Sequence, residues 1–275
     1  MANLLALGAI VLWSSLATLG VALSHLPPLL LTALALAIGS IPTWPWCRRW
    51  RVAPGALAIG VAGLFGYHLM LFLALRLAPP VQANLLNYLW PLLIVLLSPV
   101  FLPGLKLTLA HLVAGLLGLA GATLAISTGS VSGKGDALGY VLAAGAALVW
   151  ACYSLSTRRL PPYPTAAVGL FALVSAALSF GAHLLLEPGA SLSAHDLGWL
   201  AAIGLGPMGA AFLLWDAAMK RGDPRTIGVL SYLTPLASTT MLTLYRGEAL
   251  SAALGLATLL IVGSAALGIR AGRRA

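Results

Sequence analysis

Long apolar stretches run the whole length of the chain, interrupted at short intervals by charge, proline or glycine. A helix needs about 20 mostly apolar residues to cross roughly 30 Å of hydrocarbon. Ten runs meet that length: 3–23, 28–46, 56–76, 82–102, 108–126, 137–156, 165–186, 198–219, 226–245 and 250–269. None alternates polar and apolar with a period of two, so the pattern predicts membrane helices, not a membrane barrel. The second run has the loosest end, where Pro42, Thr43 and Pro45 precede Trp46. The breaks are short, which predicts a compact bundle without a soluble domain. Met1-Ala2-Asn3 lacks the positive region and cleavage site of a signal peptide, so the first run is expected to stay as a helix.

Composition sharpens this picture. Of 275 residues, 60% are hydrophobic and 8% charged, against about 25% charged in soluble domains. A soluble enzyme, a disordered tail and a disulfide scaffold are excluded. Fifteen basic against six acidic residues would suggest nucleic acid in a soluble protein, but no polar face exists here to hold them, and no nucleic-acid partner is expected. The basic residues instead report topology. With a cytoplasmic N-terminus, Arg48, Arg49, Arg51, Lys106, Arg158, Arg159, Lys220, Arg221, Arg225, Arg270, Arg273 and Arg274 fall inside, and only Arg76, Lys134 and Arg246 outside. That is 12 against 3, a positive-inside bias that predicts an inner-membrane protein with both termini cytoplasmic. Asp136, Glu187, Asp196 and Glu248 fall outside, which agrees but weighs little. Cys47 and Cys152 form neither a metal-spaced cluster nor a CxxC pair, and no cofactor or metal is expected.

The chain also repeats itself. Leu86-Asn87-Tyr88-Leu89-Trp90-Pro91-Leu92 aligns with Leu230-Ser231-Tyr232-Leu233-Thr234-Pro235-Leu236 at an offset of 144. The same offset of 144 pairs Gly60 with Gly204, Gly66 with Ala210 and Arg76 with Lys220. Trp13 pairs with Trp150 at an offset of 137, and Gly104 with Gly247. Two five-helix repeats are expected, 1–126 and 137–275, joined by 127–136. Because five is odd, the second must cross the membrane inverted. Inverted repeats with a midplane site between them are a build of secondary transporters.

Ten spans as five plus five, Tyr-x-x-Pro in the fourth and ninth, and Gly247-Glu248 before the tenth resemble the drug/metabolite transporter superfamily, EamA type. Asn84-Leu85-Leu86-Asn87-Tyr88-Leu89-Trp90-Pro91 is similar, more narrowly, to aromatic amino-acid exporters of the YddG type. The resemblance covers essentially the whole chain. It implies export of amino acids, aromatic or large apolar ones first, by alternating access. One departure is Gly104-Leu105, where the family's first half carries Gly-Glu; a paired role of two glutamates is not carried over.

Candidate substrate residues follow from polarity at membrane depth. On a helical wheel Asn84, Asn87, Tyr88 and Pro91 share one face. Amides and a phenol there are costly against lipid and should face the bundle interior or a wet cavity. Pro91 cannot donate to the Asn87 carbonyl, nor Pro235 to that of Ser231 beside Tyr232, so both prolines are expected to kink their helices. Trp90 lies at the edge of the face. Trp13 and Trp150 sit too deep for the interfacial belt that explains Trp44, Trp46, Trp50 and Trp199. With Tyr67 and Tyr153 they could wall an apolar cargo. His68 is the one ionisable group clearly at midmembrane; it reads as a proton carrier or as a hydrogen-bonded core histidine. Asp216, four residues before Lys220, reads as an ion pair with both heads reaching the inner interface, or as a coupling carboxylate. Glycines at 60, 63 and 66, and at 115, 118 and 121, read as close-packing surfaces.

Other classes fare worse. A membrane enzyme would need a nucleophile–base pair, paired carboxylates or metal ligands, yet the histidines at 25, 68, 111, 183 and 195 lie in five separate segments. A channel would rely on pore-lining rings from several subunits. Anion transport would call for midplane Lys or Arg, and none lies there. Export of other small metabolites or of lipophilic drugs remains the alternative cargo.

Overall fold

The computed structural model of the chain describes residues 1–126, 136–245, 247 and 251–274; Lys134, Arg246, Glu248 and most of the connecting segment lie outside the described residues. Among the described residues the regular structure is helical throughout. Ten helices are long and apolar enough to cross a membrane: α1 Ala2–Ala22, α2 Pro28–Arg49, α3 Pro54–Leu77, α4 Gln82–Phe101, α5 Leu109–Ile126, α6 Ala137–Ser156, α7 Thr165–Leu186, α8 Ala194–Arg221, α9 Pro224–Tyr245 and α10 Ala252–Gly272. Each coincides with one run of the sequence. α8 starts earlier than its apolar run, because Ser193 and Asp196 close a capping box over its first turn. The loose end of α2 is a 3-10 stretch over Ile41–Arg49, where Pro45 cannot donate a backbone hydrogen bond.

Contacts at the helix ends fix the alternation of the chain. At one end the Glu187 carboxylate accepts from the backbone N–H groups of Leu29 and Leu30 and from Arg76. There too the N–H of Asp136 donates to the Leu77 carbonyl, and His25 meets Asp196. At the other end Arg158 donates to the Gly222 carbonyl, Arg159 to that of Val100, Arg225 to that of Lys106 and Lys220 to that of Tyr163. Gly222 also lies against Ala2. α1 therefore starts at the arginine-rich end and α6 at the opposite one, so the two halves are inverted.

The backbone repeats its irregularities as well as its helices. π-helical turns occupy Ala62–Gly66 of α3 and Gly206–Ala210 of α8. α4 breaks at Tyr88–Leu89 and α9 at Ser231–Tyr232, so Pro91 and Pro235 each sit at the start of the following helical segment. A proline there loses no intrahelical hydrogen bond, which is why the interruption precedes the proline. The turns before α5 and α10 each contain a glycine at positive φ, Gly104 at 104° and Gly247 at 69°. Left-handed backbone there excludes most side chains.

Packing follows the same symmetry, α2 against α7 and α5 against α10, with the Tyr67–Leu77 half of α3 on α6 and the end of α8 on α1. The halves of α4 and α9 nearest the arginine-rich end cross at the centre of the bundle, where Gly228 approaches the Pro91 carbonyl oxygen. Of the six glycines read as packing surface, Gly60 faces Phe171, Gly63 Tyr153, Gly115 Leu92, Gly118 Tyr232 and Gly121 Ile261. Gly66 faces open space instead.

Candidate substrate cavity

A cavity of 630 Å³ opens between the halves. α1 contributes Trp13, Leu16 and Ala17; α3 Tyr67, Leu71 and Leu75; α4 Asn84, Asn87 and Tyr88. Opposite them stand Pro235, Ser238, Thr239, Leu242 and Thr243 of α9, with Ala125 and Ile126 at the end of α5. Leu75, Asn84, Ile126 and Thr243 all lie toward the end that holds Glu187. The cavity is thus open away from the arginines. An inner recess of 170 Å³ adds His68, Phe72, Trp90, Trp150, Met208, Phe212 and Thr234.

The recess ends on a floor of aromatic rings. Trp13 stands edge-on to Trp150 at 5.6 Å and lies 5.2 Å from Trp215. Trp90 meets Trp215 at 5.6 Å and Trp150 at 6.3 Å, and Tyr67 reaches Trp150 at 5.3 Å. Edge-to-face rings at these separations attract beyond simple burial. Two of the indole N–H groups are held by the bundle: that of Trp13 donates to the Pro207 carbonyl at 3.1 Å, in the π turn of α8, and that of Trp215 donates to Ser154 Oγ at 2.9 Å. The floor seals the arginine-rich side of the cavity.

The polar atoms above the floor are fewer and less satisfied. Asn87 is 4% exposed. Its amide N–H donates to the Tyr67 hydroxyl at 3.2 Å, while its Oδ1 has no partner among the described residues. Thr234 Oγ1, in the recess, is likewise buried without one. An unmet buried acceptor costs free energy that a donor from a ligand or water would recover. His68 Nδ1–H donates to the Leu64 carbonyl, its own helix four residues back, leaving the ring edge toward Phe72 and Phe212.

Trp13, Tyr67, His68, Asn84, Asn87, Tyr88, Trp90 and Trp150 therefore share one cavity. Three sequence candidates do not line it. Tyr153 packs behind Trp150 and over Gly63. Ser231 is fully buried and donates to the Ile227 carbonyl of its own helix. Tyr232 is fully buried against Gly118. Pro91 leaves the face of Asn84 and Asn87 because α4 is interrupted before it, whereas Pro235 does line the cavity. Asp216 corrects the sequence reading more sharply. Its pair with Lys220 forms at 2.8 Å, but the carboxylate is fully enclosed and also accepts from Tyr163 (3.0 Å) and Thr165 (2.6 Å). It lines neither the cavity nor the recess. Sequence reasoning missed Phe212, Trp215 and the α9 hydroxyls. Ser238, Thr239 and Thr243 were visible as polar residues at helical spacing within an apolar run.

Comparison with known proteins settles the class. The sequence matches the EamA-like transporter family over residues 1–127 and 137–270, once per half. The chain belongs to the EamA-like transporter family. This EamA-like protein is a multi-pass membrane transporter and not an enzyme. It is 44% identical to the aromatic amino acid exporter YddG of Ancylobacter novellus, covering 99% of this chain and 98% of that protein. It is 26% identical to the aromatic amino acid exporter YddG of Salmonella typhimurium, over 91% of this chain and 90% of that one. A crystal structure of a protein 42% identical in sequence superposes with a TM-score of 0.92 over 99% of both chains.

Proposed function

We propose that this EamA-like transporter exports amino acids with aromatic or large apolar side chains by alternating access through the central cavity, its two five-helix halves (1–126 and 137–275) rocking about α4 and α9. The observation that carries the reading is the composition of the wall. Amides, a phenol and hydroxyls stand above a floor of tryptophans, and among the described residues the lining includes no Asp, Glu, Lys or Arg. A zwitterion needs donors for its carboxylate, acceptors for its ammonium and an apolar surface for its side chain, but no fixed counter-charge. Asn87 Oδ1 is the acceptor in waiting, Tyr88 and the amides of Asn84 and Asn87 are donors, and Trp13, Trp90 and Trp150 form the apolar floor. The names of the two exporters above support both cargo and direction.

The test is thermal stabilisation of the purified protein by L-phenylalanine, L-tryptophan and L-leucine, with L-aspartate, L-lysine and phenethylamine as comparators. A ligand at a hundred times its Kd stabilises by about 2.7 kcal/mol. The three apolar amino acids are expected to raise the unfolding temperature, and phenethylamine, which lacks the carboxylate, to do so much less. Stabilisation by phenethylamine alone would replace the amino-acid reading with one of amine or drug export.

The basic bias supports an inner-membrane orientation with both termini cytoplasmic and the cavity facing outward. A fluorescent reporter fused after Ala275 is expected to mature, and alkaline phosphatase at the same point to stay inactive. Active phosphatase there would reverse the orientation and make the cavity an inward-facing one.

A further inference from the structure

The inverted repeat makes the closed end of the molecule a template for the open one. At the closed end the first segment of α9 lies across the second segment of α4. A Cβ on Gly228 would stand 2.9 Å from the Pro91 carbonyl oxygen and 3.2 Å from both Ile94 Cγ2 and Val95 Cγ2. This contact is made by backbone and apolar side chains, and a Cβ here would press on the Pro91 carbonyl oxygen. The offset of 144 that relates Pro91 to Pro235, Tyr88 to Tyr232 and Pro80 to Pro224 carries Gly228 back to Asn84. It carries Pro91, Ile94 and Val95 forward to Pro235, Ser238 and Thr239. Those four residues lie on facing walls of the open cavity. The same crossing is therefore present twice, once closed and once open.

We propose that Asn84 is the gate residue of the open end. When that end closes, the Asn84 amide docks against the Pro235 carbonyl and the hydroxyls of Ser238 and Thr239, as Gly228 docks against Pro91, Ile94 and Val95 in the conformation described here. The inference rests on the alternating-access reading but not on the identity of the cargo. The two gates differ in chemistry. The glycine gate sets backbone against backbone and apolar side chains and adds no polar side chain to desolvate, whereas the asparagine gate must strip water from an amide and two hydroxyls before they can pair. That asymmetry gives the open cavity a physical cause: the gate that costs less desolvation is the one that is shut. It also assigns Asn84 a second duty beside lining the cavity, since an amide that closes the gate counts as part of the closed site.

Paired cysteines test the contact. In a Cys47→Ser, Cys152→Ser background, Asn84→Cys with Ser238→Cys is expected to form a disulfide under copper phenanthroline, and added L-phenylalanine to speed it several-fold. Ala17→Cys with Leu242→Cys, both on the cavity wall but not related to the closed crossing, is expected to cross-link far more slowly. A second measurement does not depend on cross-linking. Asn84→Gly should make the open end resemble the glycine gate and shift the protein toward closing there, so that a membrane-impermeant maleimide labels Thr243→Cys several-fold more slowly than in the Asn84 parent. Equal cross-linking of the two pairs, or unchanged labelling in Asn84→Gly, would overturn the gate assignment. Cross-linking that forms without acceleration by any amino acid would leave the gate standing and count against the cargo.

Discussion

Asp216→Ala is expected to destabilise the protein by about 3–5 kcal/mol, the range for removing one partner of a buried ion pair. The carboxylate is fully buried and accepts from Tyr163, Thr165 and Lys220. Without it, three donors at the arginine-rich end lose their acceptor, and the Lys220 ammonium keeps only the Tyr163 carbonyl at 2.9 Å and the face of the Tyr163 ring at 3.5 Å. The segment joining α6 to α7 is tied to α8 through these bonds. It should therefore loosen first, and trypsin should gain access to Arg158 and Arg159. Asp216→Asn keeps an acceptor for Tyr163 or Thr165 and should lose less. Thermal unfolding in detergent reads the difference, and an Ala variant as stable as its parent would show that these bonds hold little together. Because the carboxylate touches no cavity wall, amino-acid binding by whatever protein remains folded is expected to be unchanged. A coupling carboxylate would behave in the opposite way, with stability preserved and transport lost.

Asp216 also shows where sequence reasoning stops. A carboxylate four residues before a lysine looks the same whether both heads reach water or a tyrosine and a threonine from another part of the chain enclose the carboxylate. Spacing along one helix carries no information about what crosses from the next. The ten spans were legible because hydrocarbon imposes a length and a composition on every helix, and the inversion because five is odd. The fate of Ser231 and Tyr232 is more instructive. They are the repeat mates of Asn87 and Tyr88, and a symmetric reading puts all four in the site. A transporter at rest in one conformation breaks that symmetry, since the gate at one end is open and its twin is packed. Tyr88 consequently lines the cavity while Tyr232 is buried on Gly118. Trp215 and Phe212 escaped notice because the repeat pairs them with Leu71 and His68, so neither counterpart is a tryptophan or phenylalanine; only the closed floor reveals that they join Trp13 and Trp150.

Asn87→Leu is expected to separate binding from stability. Leucine shares the branched shape of asparagine, with bulkier tips, but can neither accept nor donate. In the empty protein the substitution removes an unpaired buried oxygen and leaves the Tyr67 hydroxyl without its amide donor, two changes that oppose each other. The unfolding temperature of the empty protein should therefore move little. An ammonium resting on Oδ1 makes a charge-assisted bond of about 1.5–3 kcal/mol. Its loss corresponds to roughly 10- to 150-fold weaker binding, since each 1.4 kcal/mol is a factor of about ten. L-phenylalanine should lose that affinity in Asn87→Leu. 3-Phenylpropanoate, which has the same ring and carboxylate but no ammonium, should bind parent and variant equally. Asn87→Asp supplies a further arm: a carboxylate at the same place keeps the acceptor, adds a charge to the wall, and should shift preference toward phenethylamine. If L-phenylalanine and 3-phenylpropanoate lose affinity together in Asn87→Leu, the side chain shapes the cavity and holds no ammonium. If only L-phenylalanine does, Oδ1 is the atom that recognises an amino acid.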